Sequence, residues 1–121
     1  MNGLLKHPFA SDPTTLSLQV TLSPPGLPPS HHVTAFIDTG ASMSVIPAKV
    51  ALEELKLTVV GFLKEKVVLA NGLELENVPI VDCEIHVRDL GEFGLKALAL
   101  PTKVFLLGMD WFNLMDGHYI R

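Results

Sequence analysis

The chain has 121 residues, 48% hydrophobic and 18% charged, which is typical of one compact globular domain and argues against a disordered chain. Nine basic residues against thirteen acidic ones give a net charge of −4, which argues against nucleic acid as a partner. No apolar run approaches the roughly 20 residues that span a bilayer, and the first residues lack a signal-peptide pattern, so we predict no membrane segment. The single cysteine cannot form an internal disulfide, and we expect an intracellular, cytoplasmic protein.

The first third of the chain predicts two strands joined by an exposed connector. Residues 1–13 have no clear period, and we expect a mobile arm or an edge segment there. Residues 16–22 alternate between apolar and polar side chains, which predicts a half-buried strand. Residues 23–30 contain four prolines, which cannot donate to a sheet ladder, and should form the connector. The apolar run at 33–37 then predicts a buried strand that ends at Asp38.

Two pairs of side chains could suggest a metal site, and we interpret neither as one. His31 and His32 lie where the connector re-enters the sheet. Neighbouring residues of a strand point to opposite faces, so we interpret this pair as solvent-facing loop residues. Glu84 and His86 have a spacing compatible with metal binding, but exposed strand faces carry such pairs routinely. We therefore predict no metal.

The middle of the chain predicts a short helix followed by a strand. Residues 48–55 contain good helix formers with apolar residues on one side, directly after Pro47, which suits a first helical turn. Residues 57–60 are typical of a strand, and Gly61 is predicted to end it.

A hairpin is predicted next. Two strand-like runs, 64–69 and 73–76, flank the dipeptide Asn71-Gly72. This dipeptide is the strongest short hairpin signal and predicts a two-residue type I′ turn. On sequence physics alone, it is simply a surface hairpin.

The last third predicts further strands and a terminal helix. In the alternating run that begins at Val81, Cys83 falls on the apolar face, which indicates a small core residue and not a nucleophile. The helix should pack Trp111 and Leu114 inward and end at Asp116-Gly117. The predicted elements are a strand at 81–88, a turn at 89–92, strands at 93–100 and 103–107, a helix at 109–114 and a short strand at 118–121.

Three motifs, in this order along the chain, resemble one known protein family. They are Asp38-Thr39-Gly40-Ala41-Ser42, then Ala70-Asn71-Gly72, then Leu-Leu-Gly-Met-Asp-Trp-Phe at residues 106–112. From about residue 16 to about residue 114, the chain resembles a retropepsin, the single-domain aspartic protease of retroviruses and gypsy-type retrotransposons. The resemblance implies an all-β fold, a small closed barrel-like protomer with one or two short helices, in which residues 1–121 form a single domain that works as a homodimer.

The resemblance also implies roles for individual residues. Asp38 would be the catalytic carboxylate. Thr39 would reach across to the partner's backbone, and Gly40 would offer its carbonyl to the substrate. Ala41 stands where the two-lobed pepsin-like enzymes carry serine. The remaining implied positions are a flap over the substrate formed by Ala70, Asn71, Gly72 and Leu73, and packing beneath the catalytic loop by Leu106, Leu107 and Gly108.

The chemistry that fits these residues is peptide hydrolysis by two carboxylates that share one proton and activate a water. The chain contains one Asp-Thr-Gly, so the second carboxylate must come from a second copy. We expect an aspartic endopeptidase that cleaves extended polypeptides, a class that includes polyproteins, without a cofactor.

A function of another class stays open, namely a catalytically silent dimerising or peptide-binding domain of the same fold. The intact Asp38-Thr39-Gly40 favours the enzyme, but activity can also be lost through the flap or the dimer contacts. A serine nucleophile is disfavoured, because residues 40–44 lack the closing glycine of a nucleophile elbow.

Overall fold

The structure is a computed structural model that describes residues 16–38, 40–69 and 71–119, with side chains described up to residue 114. The predicted arm at 1–13 therefore lies outside the described residues, as do Thr39 and Ala70. The elements of the described part are β1 (Ser17–Ser23), β2 (His31–Ile37), β3 (Val45–Pro47), a π-helical segment (Lys49–Glu54), β4 (Val59–Leu63), β5 (Val67–Val68), β6 (Glu74–Leu75), β7 (Val78–Val87), β8 (Gly91–Leu100), β9 (Phe105–Leu107) and α1 (Met109–Tyr119).

Six strands close into a barrel in the order β1-β2-β9-β3-β8-β7, and β7 pairs back with β1. The length of β7 makes the closure possible, because one of its edges serves two partners. Residues 78–81 of this edge pair with β4, and residues 84–87 pair with β1. Its other edge pairs with β8. The predicted all-β closed barrel with one or two short helices is confirmed.

The alternating strands fill the barrel with their apolar faces. Val20 and Leu22 of β1 are buried, as are Cys83 and Ile85 of β7, and all four belong to one large core cluster. Burial raises the pKa of the Cys83 thiol to about 12, with a smaller contribution from nearby carboxylates such as Asp82. The prediction that Cys83 is a small core residue is confirmed, since a protonated and inaccessible thiol is not a nucleophile.

A second, smaller apolar cluster connects the β5–β6 hairpin to the barrel. Its buried members come from β3, β5, β7, β8 and β9, and side chains of the hairpin and of the loop after β2 pack against it half-buried. The buried members are Val45, Val67, Val78, Leu98, Leu100 and Leu106. This cluster is what fixes the hairpin relative to the strands that carry the candidate site.

The hairpin is present, but its turn differs from the predicted one. The Leu69 N–H donates to the Leu73 carbonyl (2.8 Å), so three residues lie between this pair. Gly72, the last of the three, has a φ of +88°. A left-handed residue at this position is typical of three-residue hairpin loops. The two-residue type I′ turn was therefore wrong, because the Asn71-Gly72 signal fixes the hairpin and not its loop length.

Two boundaries near the ends of strands also differ. Gly61 lies inside β4 and does not end it, and the pairing with β7 changes register between Val59 and Gly61. A glycine inside a strand commonly marks such an irregularity. His31 and His32, predicted as loop residues, are the first residues of β2, and the His31 Nε2 lies 2.7 Å from the Glu54 carboxylate.

The helix predicted at 48–55 is found, with π geometry, at Lys49–Glu54. It buries Ala51, and after its last residue the Leu55 N–H donates to the Val50 carbonyl (2.8 Å). No helix among the described residues is long and apolar enough to cross a membrane.

The terminal helix α1 is longer than predicted. It continues through Asp116-Gly117 to Tyr119, over residues for which a short strand was predicted. A glycine inside a helix costs about 1 kcal/mol and does not by itself end it. Trp111 is buried as predicted and meets Phe93 edge to face, with the ring centroids 6.3 Å apart.

Leu114 does not pack inward as predicted, since 41% of its surface is exposed. Trp111 and Phe112 both pack against the core, so the face of α1 that contacts the core is centred midway between these two residues. With 3.6 residues per turn, Leu114 lies about 110° from that centre, at the edge of the packed face.

The core assignment can be tested with two leucines of contrasting burial. Leu22 is fully buried, and we expect Leu22→Ala to lower the free energy of unfolding by about 2–5 kcal/mol through the cavity it leaves. Leu27 in the connector is 56% exposed, and Leu27→Ala should change it by less than about 0.5 kcal/mol. Urea unfolding followed by tryptophan fluorescence measures both values. Equal losses would contradict the packing described for β1.

Candidate active site

Asp38 is placed by backbone contacts on both of its sides. Its N–H donates to the Leu107 carbonyl (2.9 Å), which extends the parallel pairing of β2 with β9 one residue beyond the strand. Its carbonyl accepts a hydrogen bond from the Ala41 N–H (3.1 Å). The residue is 2% exposed. Sheet pairing and a tight turn thus fix a buried carboxylate at the end of a core strand.

The two carboxylate oxygens of Asp38 have different surroundings. Oδ1 accepts a hydrogen bond from the Gly40 N–H (3.0 Å). Oδ2 is buried and has no hydrogen-bond partner among the described residues. An unpaired buried polar atom costs on the order of 1–3 kcal/mol, more when it is charged. The loop therefore orients the carboxylate through one oxygen and leaves the other without a donor from this part of the chain.

Glycines allow the close approach of the two segments that form the site. A Cβ on Gly40 would lie 3.3 Å from the Asp38 Oδ1. A Cβ on Gly108 would lie only 2.6 Å from the Ala41 carbonyl oxygen and 3.0 Å from the Met43 carbonyl. The Met109 N–H donates to the same Ala41 carbonyl (2.7 Å). The segment 106–108 therefore lies directly against the loop after Asp38, with Leu106 and Leu107 buried in β9.

Ser44 and Asp110, for which the sequence predicted no role in the site, join these segments further. The Ser44 N–H and hydroxyl donate to the two oxygens of the Asp110 carboxylate (2.9 and 2.7 Å). The Ser44 Oγ also accepts a hydrogen bond from the Gly108 N–H (3.0 Å). The signal available in the sequence was a small polar residue directly before the apolar Val45 and Ile46. The structure shows that this serine is fully buried.

The predicted flap residues Asn71, Gly72 and Leu73 lie in the exposed hairpin loop, where the Asn71 Oδ1 accepts a hydrogen bond from the Leu73 N–H (3.0 Å). Below the loop, the Lys66 ammonium lies 3.2 Å from the Glu74 carboxylate, and this hydrogen bond raises the pKa of Lys66. The structure connects the hairpin to the Asp38 loop indirectly, through the second apolar cluster. Thr39 and Ala70 are outside the described residues.

The described residues contain no cluster of three or more His, Cys, Asp or Glu side chains arranged to hold a metal ion. Of the pair considered in the sequence, Glu84 lies 4.0 Å from the His86 Nε2. The same ring binds the Ser23 hydroxyl (3.1 Å) through Nε2 and faces Glu92 (3.3 Å) through Nδ1. The ring therefore has protein partners at both nitrogens.

Comparisons with known proteins agree with this geometry. Residues 26–111 match a family described as Aspartyl protease. The fold is similar to that of EIAV protease complexed with the inhibitor HBY-793, with a TM-score of 0.63, 16% identity, and coverage of 87% of this chain and 91% of that one. It is also similar to the solution structure of simian foamy virus (mac) protease, with a TM-score of 0.54, 18% identity, and coverage of 81% and 96%. No curated protein sequence matched the chain.

The close approach at Gly108 generates a prediction. Gly108→Ala would place a methyl group 2.6 Å from the Ala41 carbonyl oxygen, and backbone atoms cannot easily yield, so we expect a loss of at least about 2 kcal/mol in the free energy of unfolding. Gly94→Ala is the matched control, because a Cβ there meets nothing within 4 Å. Urea unfolding of both variants measures the difference. A Gly108→Ala protein as stable as the control would contradict the tight packing of this segment.

Proposed function

Because the chain belongs to the retropepsin-like aspartic proteases, we propose that it is an endopeptidase that hydrolyses extended polypeptides with a water activated by paired carboxylates. Asp38 supplies one carboxylate of the pair. Of two such groups, one takes a proton from the water while the other, protonated, polarises the scissile carbonyl. No metal or covalent intermediate is needed for this reaction.

The observation that carries the proposal is the environment of the Asp38 carboxylate. It is buried and oriented through the Gly40 N–H, while its Oδ2 has no donor among the described residues. A purely structural aspartate at this place would be expected to satisfy both oxygens within its own loop. A carboxylate with one oxygen available suits a group that shares a proton and binds a water. This geometry favours the enzyme over the catalytically silent domain.

The second carboxylate of the pair comes, we propose, from a second copy of the chain. The other aspartates with described side chains have different places: Asp82 on β7, Asp89 in the turn before β8, and Asp110 bound to Ser44. With one Asp-Thr-Gly per chain, a two-fold axis beside Asp38 brings two equivalent carboxylates together. The active unit is then a homodimer.

The neighbouring residues take supporting roles in this proposal. Thr39 reaches to the partner's backbone, and Gly40 presents its carbonyl to the peptide. Ala41 is fully buried in the turn, and its N–H and carbonyl hold the turn to Asp38 and to Met109. The hairpin loop at 70–73 closes over the bound peptide as a flap, held on the barrel by the second apolar cluster.

The first prediction concerns Asp38. Asp38→Asn keeps the shape of the side chain and removes the carboxylate, so we expect cleavage to fall at least about a thousandfold with an unchanged circular dichroism spectrum. The assay is incubation with a denatured protein mixture, with and without pepstatin, followed by mapping of the cut sites. Asp89→Asn is the control, because Asp89 lies in a turn with a φ of +71°, which asparagine tolerates.

Wild-type cleavage by Asp38→Asn would refute the aspartic mechanism. If the wild-type protein itself forms dimers but cuts nothing in the mixture, the silent peptide-binding domain is the better description.

The second prediction concerns the flap. Gly72 has a φ of +88° and free space around it, so Gly72→Val strains the loop without a clash elsewhere. We expect kcat/KM to fall about tenfold or more, because the loop must adopt a defined shape over the peptide. Gly26→Val is the matched control, since Gly26 has a φ of +81°, equal freedom, and a place in the proline-rich connector.

Both variants should lose a similar amount of stability in urea unfolding. If Gly26→Val impairs cleavage as much as Gly72→Val, the hairpin has no special role in binding peptide.

A further inference from the structure

Ser44 and Asp110 form the side-chain part of the connection between the loop after Asp38 and the start of α1. Ser44 is fully buried, and its hydroxyl donates to Asp110 while accepting from the Gly108 N–H. The Ser44 N–H donates to the second oxygen of the same carboxylate. One serine and one aspartate thus hold both ends of the contact, with every hydrogen bond between 2.7 and 3.0 Å.

These contacts continue the backbone hydrogen bonds that place Asp38. Asp38 bonds to Leu107, and Ala41 bonds to Met109, so the loop and the segment 107–110 run side by side. The backbone bonds hold the first half of the loop, and Ser44 holds its end. The backbone at Gly108 packs directly against the loop, because a Cβ there would lie 2.6 Å from the Ala41 carbonyl oxygen and 3.0 Å from the Met43 carbonyl. We therefore expect the loss of the Ser44 contacts to shift the end of the loop relative to this segment.

The side chain at position 110 can make these contacts only if both of its terminal atoms accept hydrogen bonds, as the two oxygens of a carboxylate do. Oδ1 accepts from the Ser44 hydroxyl and from the Trp111 N–H (2.7 Å), and Oδ2 accepts from the Ser44 N–H. Each oxygen faces a backbone N–H, which cannot reverse its direction. An asparagine amide would therefore set its NH2 group against a donor in either orientation. Charge-assisted hydrogen bonds of this kind are the strong ones.

We propose that Ser44 and Asp110 are positioning residues for the reaction at Asp38, because they hold the catalytic loop in register with the segment 107–110. The inference rests on the proposed function, in that Asp38 is the group they position. Displacement of a reacting group by about 1 Å can cost on the order of a hundredfold in rate. The effect should appear in kcat, since neither residue is proposed to contact the substrate.

The test compares Ser44→Ala and Asp110→Asn with Ser23→Ala. Ser23 is also fully buried, and its hydroxyl also binds a side chain, that of His86. It lies far from Asp38, because the end of β1 that contains Ser23 pairs with the start of β2 and not with its end. We expect Ser44→Ala and Asp110→Asn to lower kcat about 10- to 100-fold with KM within about twofold. Ser23→Ala should lower the urea midpoint by a similar amount and leave kcat unchanged. Ser44→Thr, which keeps the hydroxyl, should retain kcat within about threefold.

A second measurement does not depend on cleavage. Amide hydrogen exchange of Asp38 and Ala41 reports the hydrogen bonds of the loop. The β7 amides serve as the reference for general destabilisation. Relative to them, Ser44→Ala should accelerate exchange at Asp38 and Ala41 at least about tenfold, whereas Ser23→Ala should cause no such difference. If the wild-type protein cleaves nothing, this result still decides the positioning role, separately from the proposed protease.

The inference is overturned if Ser44→Ala leaves the exchange of Asp38 and Ala41 unchanged relative to β7. It is equally overturned if Ser23→Ala lowers kcat as much as Ser44→Ala at equal loss of stability, because general destabilisation would then explain both.

Discussion

The hydrogen bond from the Asp38 N–H to the Leu107 carbonyl is the contact on which the candidate site depends. It extends the parallel pairing of β2 with β9 and so brings together two segments that are far apart in the sequence. Parallel neighbours cannot be joined by a tight turn, and here the connection between them contains the strands β3 to β8. The site is therefore a product of the whole fold and not of a local motif.

Close packing fixes the position of the loop after Asp38 relative to the segment at 107–110. Gly108 lies so near the Ala41 carbonyl that no side chain fits between the two segments. Ser44 and Asp110 then add hydrogen bonds where the glycine leaves no side chain of its own. A buried carboxylate is costly to hold, and the structure satisfies one of its oxygens within the described residues. We interpret the unpaired oxygen as a loss of stability that leaves the carboxylate free for the proposed reaction.

The hairpin of β5 and β6, which is the proposed flap, is held in place differently from the loop after Asp38. Its two strands are only two residues long each, and the loop side chains are exposed. Its connection to the barrel is apolar, through Val67, Leu69 and Leu75 in the second cluster. The surface pair of Lys66 and Glu74 joins the two arms of the hairpin to each other. The described hydrogen bonds of the loop lie within the hairpin, between residues 69 and 73. This would suit the proposed flap, which would move over a peptide and return, whereas the Asp38 loop is held by sheet pairing and side-chain hydrogen bonds.

Much of this could be predicted from the sequence, because strands with one buried face carry a period of two. That pattern placed β1, β7 and the core position of Cys83, and the Asp38 motif indicated the family. The errors have different causes. The exposure of Leu114 follows from how α1 packs on the core, whereas Gly117 does not by itself end a helix and Asn71-Gly72 does not fix the length of its loop. The roles of Thr39 and Ala70 and the single-domain extent stay predictions.

The roles of Ser44 and Asp110 were missed because they depend on a contact between residues that are distant in the sequence. Asp110 lies in the third motif and Ser44 lies two residues after the first, but the contact between them exists only in the folded chain. A serine directly before the apolar Val45 and Ile46 was a usable sign that a distant partner exists, but nothing local identified Asp110 as that partner.

The central claim is that two copies of the chain share one active site. The direct measurement is cleavage activity after wild-type chains are unfolded and refolded together with a ninefold excess of Asp38→Asn chains. If the site needs one Asp38 from each copy, random pairing leaves about a tenth of the wild-type chains with a wild-type partner, so activity per wild-type chain should fall about tenfold. Unchanged activity per wild-type chain, with sedimentation showing an active monomer, would contradict the account.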